Sequence, residues 1–446
     1  MRRVMLAAAV CAAFISLSGI SPLAAADRDD DRGIGNDHDG DAIQLGPRPF
    51  YLVDGMDDGP LKTKLMACKN GPFRRTDFSI GHRGGALQFP EHTKEAYNGG
   101  ARMGAGIVEC DVTFTKHGDL VCRHAQNDLH TTTNILVTPL AATCIKPFTP
   151  AVLDAGGKVV TPASAECRTS ELTLAEFKSL RGKMDAFNPA AQTPEEFIGS
   201  GVPAFRTELY TGRGTLMSMR DSIELNEKNG VKHTPELKGP VAGGGDPASI
   251  NAIFGSQDKY AQKFADELQD AGVNPRNVFA QSFNAADILY WIRNTQIGKQ
   301  AVFLVDYDDV KNNIILFDLT GRQLEKRDDQ LKFFMELRKA GVNIVAPAMP
   351  ALLGVSGDRV VPSQLSKDLK GMGFDIITWT FERSDVRQGA SKAGFYYDFD
   401  PTGAAIKKDS DIYKALDVLA KDVKIIGIFS DWPATVSYYA SCMGLK

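Results

Sequence analysis

The sequence predicts an α/β fold, a TIM (β/α)8 barrel, and three observations carry that prediction. Short apolar runs read as strands near Ile80 and Val108 and at 231–237, 278–282, 301–306, 342–346, 375–381 and 423–429, eight in all. Helical patterns lie between the later runs, at 250–271, 285–293, 330–340, 363–372 and 412–420. Short apolar strands alternating with helices imply a parallel sheet covered on both faces. The third observation is where the chemistry-bearing residues fall. His82, Glu109 and Asp111, Glu236 and Lys238, Gln281, Trp379 and Asp431 all stand at or near strand ends, and functional groups of such a barrel sit at the C-terminal ends of its strands. A doubly wound open sheet is the alternative architecture.

Residues 1–26 read as a secretion signal. Arg2 and Arg3 form a charged start, residues 4–20 an apolar run, and Leu23 to Ala26 a small-residue cleavage site, with cleavage expected after Ala26 or, as the neighbouring choice, Ala25. A retained membrane anchor is the alternative, but the run is marginal for a span. No later stretch approaches spanning length, so the mature chain is expected to be soluble and exported, periplasmic or secreted. Residues 27–48 are expected to form an acidic, disordered leader, because 27–41 (DRDDDRGIGNDHDGD) carries few apolar groups to bury. Its Asp37-x-Asp39-Gly40-Asp41 core superficially fits the start of a calcium loop. It lacks the remaining ligands and the glutamate at the twelfth position. The folded domain is then expected over 49–446.

A chain of 446 residues with 43% hydrophobic content can bury a sizeable core. Formal charge is −4, and losing Arg2 and Arg3 with the signal would leave the remainder more acidic. No concentrated basic stripe appears, which argues against nucleic acid as a partner.

Export makes the cysteines informative. Beyond Cys11 in the signal there are six: Cys68, Cys110, Cys122, Cys144, Cys167 and Cys442. An even number in an oxidising compartment favours disulfides, though six cysteines allow fifteen connectivities. Buried free thiols are the alternative, and the absence of C-x-x-C spacing argues against a zinc cluster. Cys144–Cys167 would close an insertion, and Cys68–Cys442 would join the two flanks of the barrel. That leaves Cys110 with Cys122, a pair that strand parity argues against: Cys122 shares parity with His124, whereas Cys110 opposes Glu109 and Asp111.

The stretch from Ser79 to His130 organises the rest. An apolar run ends in His82-Arg83-Gly84-Gly85, a helix start follows at Pro90-Glu91, and a second strand carries Glu109 and Asp111. Residues i and i+2 of a strand share a face, so these two acids point the same way. Buried carboxylates are expensive unless they face a cation or a polar cleft. Beyond the Lys116-His117-Gly118-Asp119 turn, Leu120-Val121-Cys122-Arg123-His124 supplies a second histidine. Two imidazoles, two acids, an arginine and a glycine-rich turn suit metal-assisted phosphoryl chemistry.

An insertion follows, about 131–211, rich in Thr, Pro and Ala and short of long apolar periods. Thr173 with Glu176 predicts a capped helix over 173–180. A helix over about 216–229 would end at Gly230.

At these residues the chain resembles the glycerophosphodiester phosphodiesterase family, exported enzymes on a phospholipase-C-like barrel. The matching residues are His82-Arg83-Gly84, Pro90-Glu91-x-Thr93, Gly104-Ala105, Glu109-x-Asp111, Thr115-Lys116-x-Gly118, Leu120-Val121 and His124. The match continues with Glu236-Leu237-Lys238, Gln281-Ser282-Phe283, Thr378-Trp379 and Ser430-Asp431-x-Pro433. One departure is Ala125, where the family usually has Asp after the second histidine. The resemblance implies His82 and His124 as an acid–base pair and Glu109, Asp111 and Glu236 as metal ligands. An all-carboxylate set is hard-oxygen chemistry, with calcium favoured by an exported setting and magnesium as runner-up. Arg83 and Lys238 would meet phosphate oxygens, or form structural ion pairs with the neighbouring acids. Glu91 would orient His82, touch the metal, or simply favour a helix N-terminus. Gln281, Phe283 and Trp379 would belong to the substrate site. Trp379, Phe283 and Tyr396-Tyr397 would wall the glycerol or alcohol group, unless they are plain packing.

The implied reaction is hydrolysis of a glycerophosphodiester to glycerol 3-phosphate and an alcohol, through a cyclic phosphate or by direct attack of water. Two other readings remain: a phospholipase D-like or other lipid-cleaving phosphodiesterase on the same barrel, and a phosphodiester-binding protein without turnover.

Overall fold

The computed structural model describes residues 43–240 and 244–445. The expected signal, and the leader up to residue 42, lie outside the described residues. Packing begins ahead of Pro49. Leu45 is buried, and the Gln44 N–H donates to the Arg102 carbonyl at 2.8 Å. Ile43 and Leu45 are apolar side chains following the acidic run, and both reach the core.

Eight parallel strands close into a barrel in chain order: β1 (Thr76–Gly81), β2 (Ala105–Phe114), β3 (Lys232–Leu237), β4 (Gln281–Ser282), β5 (Val302–Asp308), β6 (Ile344–Pro347), β7 (Asp375–Phe381) and β8 (Gly427–Ser430). Strand β1 pairs with both β2 and β8, so no edge is left between them. The open doubly wound sheet is thereby excluded. The strands obey the period of two. Ile80, Ile107, Val302, Leu304, Ile344, Ala346, Ile377 and Phe429 point inward and fill the barrel, while the alternate residues pack outward against the helices.

Helix Lys94–Arg102 shows how the loops are pinned at the mouth. The Thr93 hydroxyl accepts from the Ala96 N–H, and Ala96, Tyr97, Gly100 and Ala101 face inward. A Cβ on Gly100 would lie 2.3 Å from the Gly84 carbonyl oxygen, so glycine alone allows this approach. Gly84 itself takes φ +96, in the left-handed region. The turn after β1 is therefore clamped onto the helix that follows it.

Two helical expectations shift. The run at 250–271 is two helices, Pro247–Phe254 and Gln257–Asp270, because Gly255 ends the first at φ +85 and Ser256 caps the second. The run at 216–229 becomes helix Met219–Asn229, since Ser218 and Asp221 form a capping box, and it ends at left-handed Gly230 as expected. No helix among the described residues is long and apolar enough to cross a membrane.

The insertion is better packed than its sequence implies. Helix Leu174–Ser179 carries the expected Thr173–Glu176 capping box. Short antiparallel pairs surround it, Lys146–Thr149 with Ser164–Glu166, Val152–Leu153 with Val159–Thr161, and Arg181–Gly182 with Gly214–Thr215. Leu129, Ile135, Leu172, Phe177, Phe197 and Leu216 form a core of their own. Elements this short cannot display a helical or strand period, which is why the pattern was invisible.

All three disulfides pair as expected, Cys68–Cys442, Cys110–Cys122 and Cys144–Cys167, with Cα separations of 5.6, 5.2 and 4.1 Å. The parity objection to Cys110–Cys122 fails for a structural reason. Strand Leu120–Cys122 runs antiparallel to β2 with Cys122 opposite Val112, which shares the face of Cys110. His124 lies past that strand's end and is released from its parity.

Phe177 is fully buried in the insertion core. Phe177→Ala is expected to cost about 3–5 kcal/mol, and denaturant titration with limited proteolysis should show the insertion cleaved before the barrel.

Candidate active site

Every site residue on a strand continues an inward-facing apolar position past the point where the barrel opens. His82 follows Ile80, Glu109 and Asp111 follow Ile107, and Trp379 follows Ile377. On β3, Glu236 and Lys238 follow Thr234 in the same way. Strand pairing then sets Thr234 beside Glu109, Glu236 beside Asp111, and Gln281 beside Glu236.

Glu109, Asp111 and Glu236 each offer a carboxylate oxygen, and the three oxygens lie within 4.8 Å of one another. All three are buried. Glu109 accepts from the Arg83 N–H and the Gln281 amide, both at 2.9 Å. Asp111 accepts from His92 Nε2 at 2.8 Å, and the other nitrogen of that ring meets the Tyr97 hydroxyl at 3.1 Å. Glu236 meets the Lys238 ammonium at 2.7 Å. Burial raises the Glu109 carboxyl well above its usual range, and Asp111 and Glu236 raise it further. Burial also raises Glu236, to about 8, with Asp111 adding to it against the pull of Lys238. Asp111 goes the other way: burial pushes it up, but Lys238 and His92 hold it well below a normal carboxylate.

Three acids this close call for a cation. Asp111 Oδ1 and Gln281 Oε1 are buried acceptors with no hydrogen-bond partner among the described residues. An all-oxygen donor set with spare acceptors fits a hard divalent ion.

His82 stands at the other side of Glu109, its Nε2 3.8 Å from Glu109 Oε2. Its Nδ1 lies 2.5 Å from Asp431 Oδ1. Burial drops the imidazole to about 4, against the pull of Asp431. Asp431 stays ionised: burial raises it, but Arg383 and His82 outweigh that. A carboxylate can only accept, so Nδ1 carries the proton and Nε2 is left as an acceptor in the cavity. Arg383 completes the chain, donating to Asp431 Oδ2 at 2.9 Å and to Asp185 Oδ2 of the insertion at 3.0 Å.

Arg83 donates to Glu91 Oε2 at 2.6 Å. Burial raises the Glu91 carboxyl, but Arg83 and Arg383 overcome it and hold the group at about 2. Glu91 is thus an arginine anchor, and it is not among the carboxylates gathered for a metal. Arg83 sits at φ +51 and His92 at φ +54, both strained for residues with a Cβ. His124 lines the same cavity, and burial with Arg83 and Lys238 holds its imidazole well below the ordinary value.

These groups line one cavity of about 470 Å³. Of the expected Tyr396-Tyr397 pair only Tyr396 lines it, since Tyr397 is fully buried in the core; lining not expected from the sequence comes from Asp128, Asp306 and Arg383, and from Thr131, Thr132 and Asp185 of the insertion. The structure brings His82, His124, Arg83, Lys238, Glu91, Glu109, Asp111, Glu236, Gln281, Phe283 and Trp379 together at this mouth. Sequence reasoning missed His92, Arg383 and Asp185. The only available signal for His92 was its place beside Glu91.

Two imidazoles, three clustered carboxylates, Arg83 and Lys238 line one cavity at the barrel mouth, a set of groups suited to metal-assisted phosphoryl chemistry. The family model described as the glycerophosphoryl diester phosphodiesterase family matches residues 82–435, and the chain belongs to that family. An "Extracellular protein" of Arthroderma benhamiae is 38% identical over 265 residues, spanning 59% of this chain and 100% of that relative. Glycerophosphodiester phosphodiesterase GDPD6 of Arabidopsis thaliana is 22% identical over 404 residues, 88% of this chain and 91% of its own. A crystal structure from Silicibacter pomeroyi, assigned as a glycerophosphoryl diester phosphodiesterase, shares the fold. Its TM-score is 0.50 at 16% identity, covering 86% of this chain and 97% of that one.

Two measurements probe this geometry. His92 fixes Asp111 from behind, so His92→Ala should weaken divalent-cation binding about 10–100-fold, read by calorimetric titration of the folded variant. His82 is depressed to about 4 from 6.5, so the unfolded chain takes up that proton first as pH falls. Its contribution, on the order of 3 kcal/mol, is complete above pH 6.5 and lost as pH falls towards 4. The stability–pH slope across that window should flatten by about one proton in His82→Gln.

Proposed function

We propose that this protein hydrolyses glycerophosphodiesters to glycerol 3-phosphate and an alcohol with the help of a divalent cation. The observation that carries the reading is the convergence of His82, His124 and three carboxylates on one cavity. Glu109, Asp111 and Glu236 would hold the cation, with Gln281 Oε1 within the same layer. The cation supplies charge neutralisation at the phosphate. Calcium is favoured, because the ligand set is all oxygen and the chain is read as exported, with magnesium second. Export is supported by the N-terminal pattern and by the name of the Arthroderma relative.

His82 is the better general base. Asp431 holds its Nδ1 proton, so Nε2 is presented to the glycerol hydroxyl adjacent to phosphorus. Arg83 and Lys238 offset the charge that builds on the phosphoryl oxygens. His124 protonates the departing alcohol. Burial, Arg83 and Lys238 disfavour its imidazolium, so the proton it donates would be taken up together with the phosphodiester anion, whose charge opposes that of the two cations. The two histidines exchange roles when water opens the cyclic phosphate. Direct attack of water would use the same base.

The insertion forms one wall of the cavity through Thr131, Thr132 and Asp185. Its disulfide and its own core suit a rigid rim that admits small, deacylated diesters. A second reading, cleavage of a lipid phosphodiester, draws on one observation. Tyr210 is 45% exposed and stacks on Phe89, which in turn stacks on Trp432, next to Asp431. Activity on phospholipid vesicles against glycerophosphocholine separates the two.

His82→Ala and His124→Ala should each lower kcat by about 10²–10⁴-fold while circular dichroism shows a retained fold. Chelation should abolish release of glycerol 3-phosphate, and calcium or magnesium should restore it. Full activity after exhaustive chelation would remove the cation from the reading.

A further inference from the structure

The polar chain that starts at His82 ends in the insertion, and each link constrains the next. His82 follows β1, Asp431 follows β8 and Arg383 lies just past β7, so three strand ends contribute. The Arg383 fork gives one amino group to Asp431 Oδ2 at 2.9 Å and the other to Asp185 Oδ2 at 3.0 Å. A guanidinium is rigid and planar, so a partner that fixes one arm also fixes the direction of the other. Asp431 in turn holds His82 Nδ1 at 2.5 Å. The Arg383 and Asp185 side chains are only 19% and 17% exposed, which sets the pair apart from solvent-screened surface bridges.

Both ends of the Asp185–Arg383 contact have scaffolds of their own. The Lys183 ammonium is buried and donates to the Thr131, Met184 and Ala186 carbonyls at 2.8, 2.8 and 2.5 Å. The last two residues flank Asp185, so all three ammonium protons hold the backbone that presents it. Asp185 Oδ1 accepts from Arg206 at 2.5 Å, and the same amino group of Arg206 donates to the Ala86 carbonyl at 2.6 Å. Next to Arg383, Glu382 is buried and accepts from Arg48 Nε at 2.8 Å. Helix Arg48–Asp54 thereby anchors the Arg383 turn from the other side.

A wall that only bounded the cavity would need no such order. A competing carboxylate is close by, Glu91 Oε2, 3.8 Å from Arg383. Without Asp185 the guanidinium is free to turn toward Glu91, and Asp431 loses the fixed donor that orients it. Resting on the phosphodiesterase reading above, we infer that Asp185 is a positioning residue. From the insertion, through Arg383 and Asp431, it fixes the His82 ring in the orientation that general-base catalysis needs. Its loss is therefore felt in turnover, and not in the phosphate and cation contacts, which belong to Arg83, Lys238 and the three carboxylates.

The test is steady-state turnover of glycerophosphocholine in the presence of calcium. Asp185→Ala should lower kcat about tenfold or more, with KM and the calorimetric calcium affinity unchanged. Asp185→Asn, which keeps an acceptor for Arg383, should recover part of that loss. In a double-mutant cycle, Asp185→Ala and Arg383→Ala together should cost no more than Arg383→Ala alone. Wild-type kcat in a folded Asp185→Ala, additive losses in the cycle, or a loss carried by KM or by calcium affinity overturns the inference and leaves the phosphodiesterase reading intact. Should Asp185→Ala fail to fold, Asp185→Asn decides: lowered kcat at unchanged KM supports the inference, and wild-type kcat rejects it. Absence of turnover in the wild-type protein overturns the phosphodiesterase reading instead, and proton NMR then decides the inference. The His82 Nδ1 proton, assigned by its loss in His82→Gln, should shift or broaden in Asp185→Asn, and an unchanged resonance rejects the positioning role.

Discussion

Three carboxylates are gathered inside an apolar barrel, and the energy of burying like charges dictates what surrounds them. Glu109, Asp111 and Glu236 cannot all ionise at this spacing without positive charge nearby. The fold answers with Lys238 between two of them, Arg83 behind a third contact, and His92 against Asp111. Arg83 and His92 both adopt left-handed backbone to reach these positions. Such strain persists only where the surroundings over-determine it, and here helix Lys94–Arg102 packs directly on the Gly84 backbone. What remains unbalanced is the oxygen layer itself, which is the property of a cation site.

The second dependency runs outward from His82. His82 is held by Asp431, Asp431 by Arg383, and Arg383 by Asp185 of the insertion, which in turn pairs with Arg206. The Arg206 guanidinium also donates to the Ala86 carbonyl, three residues after Arg83 in the turn that follows β1. The insertion is thus tied to the turn after β1 through Arg206 and to Arg383 through Asp185. It is part of the wall of the site and helps to orient the imidazole.

Much of this was legible because strands impose a period of two and barrels place chemistry at one end. Eight apolar runs, His82, the Glu109–Asp111 pair and Glu236–Lys238 follow from those two rules. The parts that were not legible depend on contacts between distant segments. Nothing local to Asp185 or Arg383 announces that they meet, since they lie on different loops nearly two hundred residues apart. His92 gave no pattern because its partner, Asp111, is on another element. The Cys110–Cys122 pairing was argued against by parity carried one strand too far: register is set by the antiparallel pairing of Cys122 with Val112, and that was not in the sequence pattern. The break at Gly255 is a local feature, a left-handed glycine followed by the Ser256 cap.

The same inward parity generates both halves of the cavity, which explains how one barrel separates two tasks. On β1 to β3 the residues past the apolar layer are charged, and mutual repulsion and pairing fix their arrangement. On β4, β5 and β7 the corresponding residues are Phe283, Asp306 and Trp379, so the floor changes from ionic to aromatic within one turn of the barrel. A phosphodiester is itself divided in this way, with an anionic centre and an organic arm. The aromatic half lowers the local polarity beside the charged half, which would strengthen the interactions of Arg83 and Lys238 with an anion bound there. Asp306 is the exception in that apolar half. It is only half-buried, and the Tyr307 N–H and the charge of Lys238 offset part of the cost of placing an acid there.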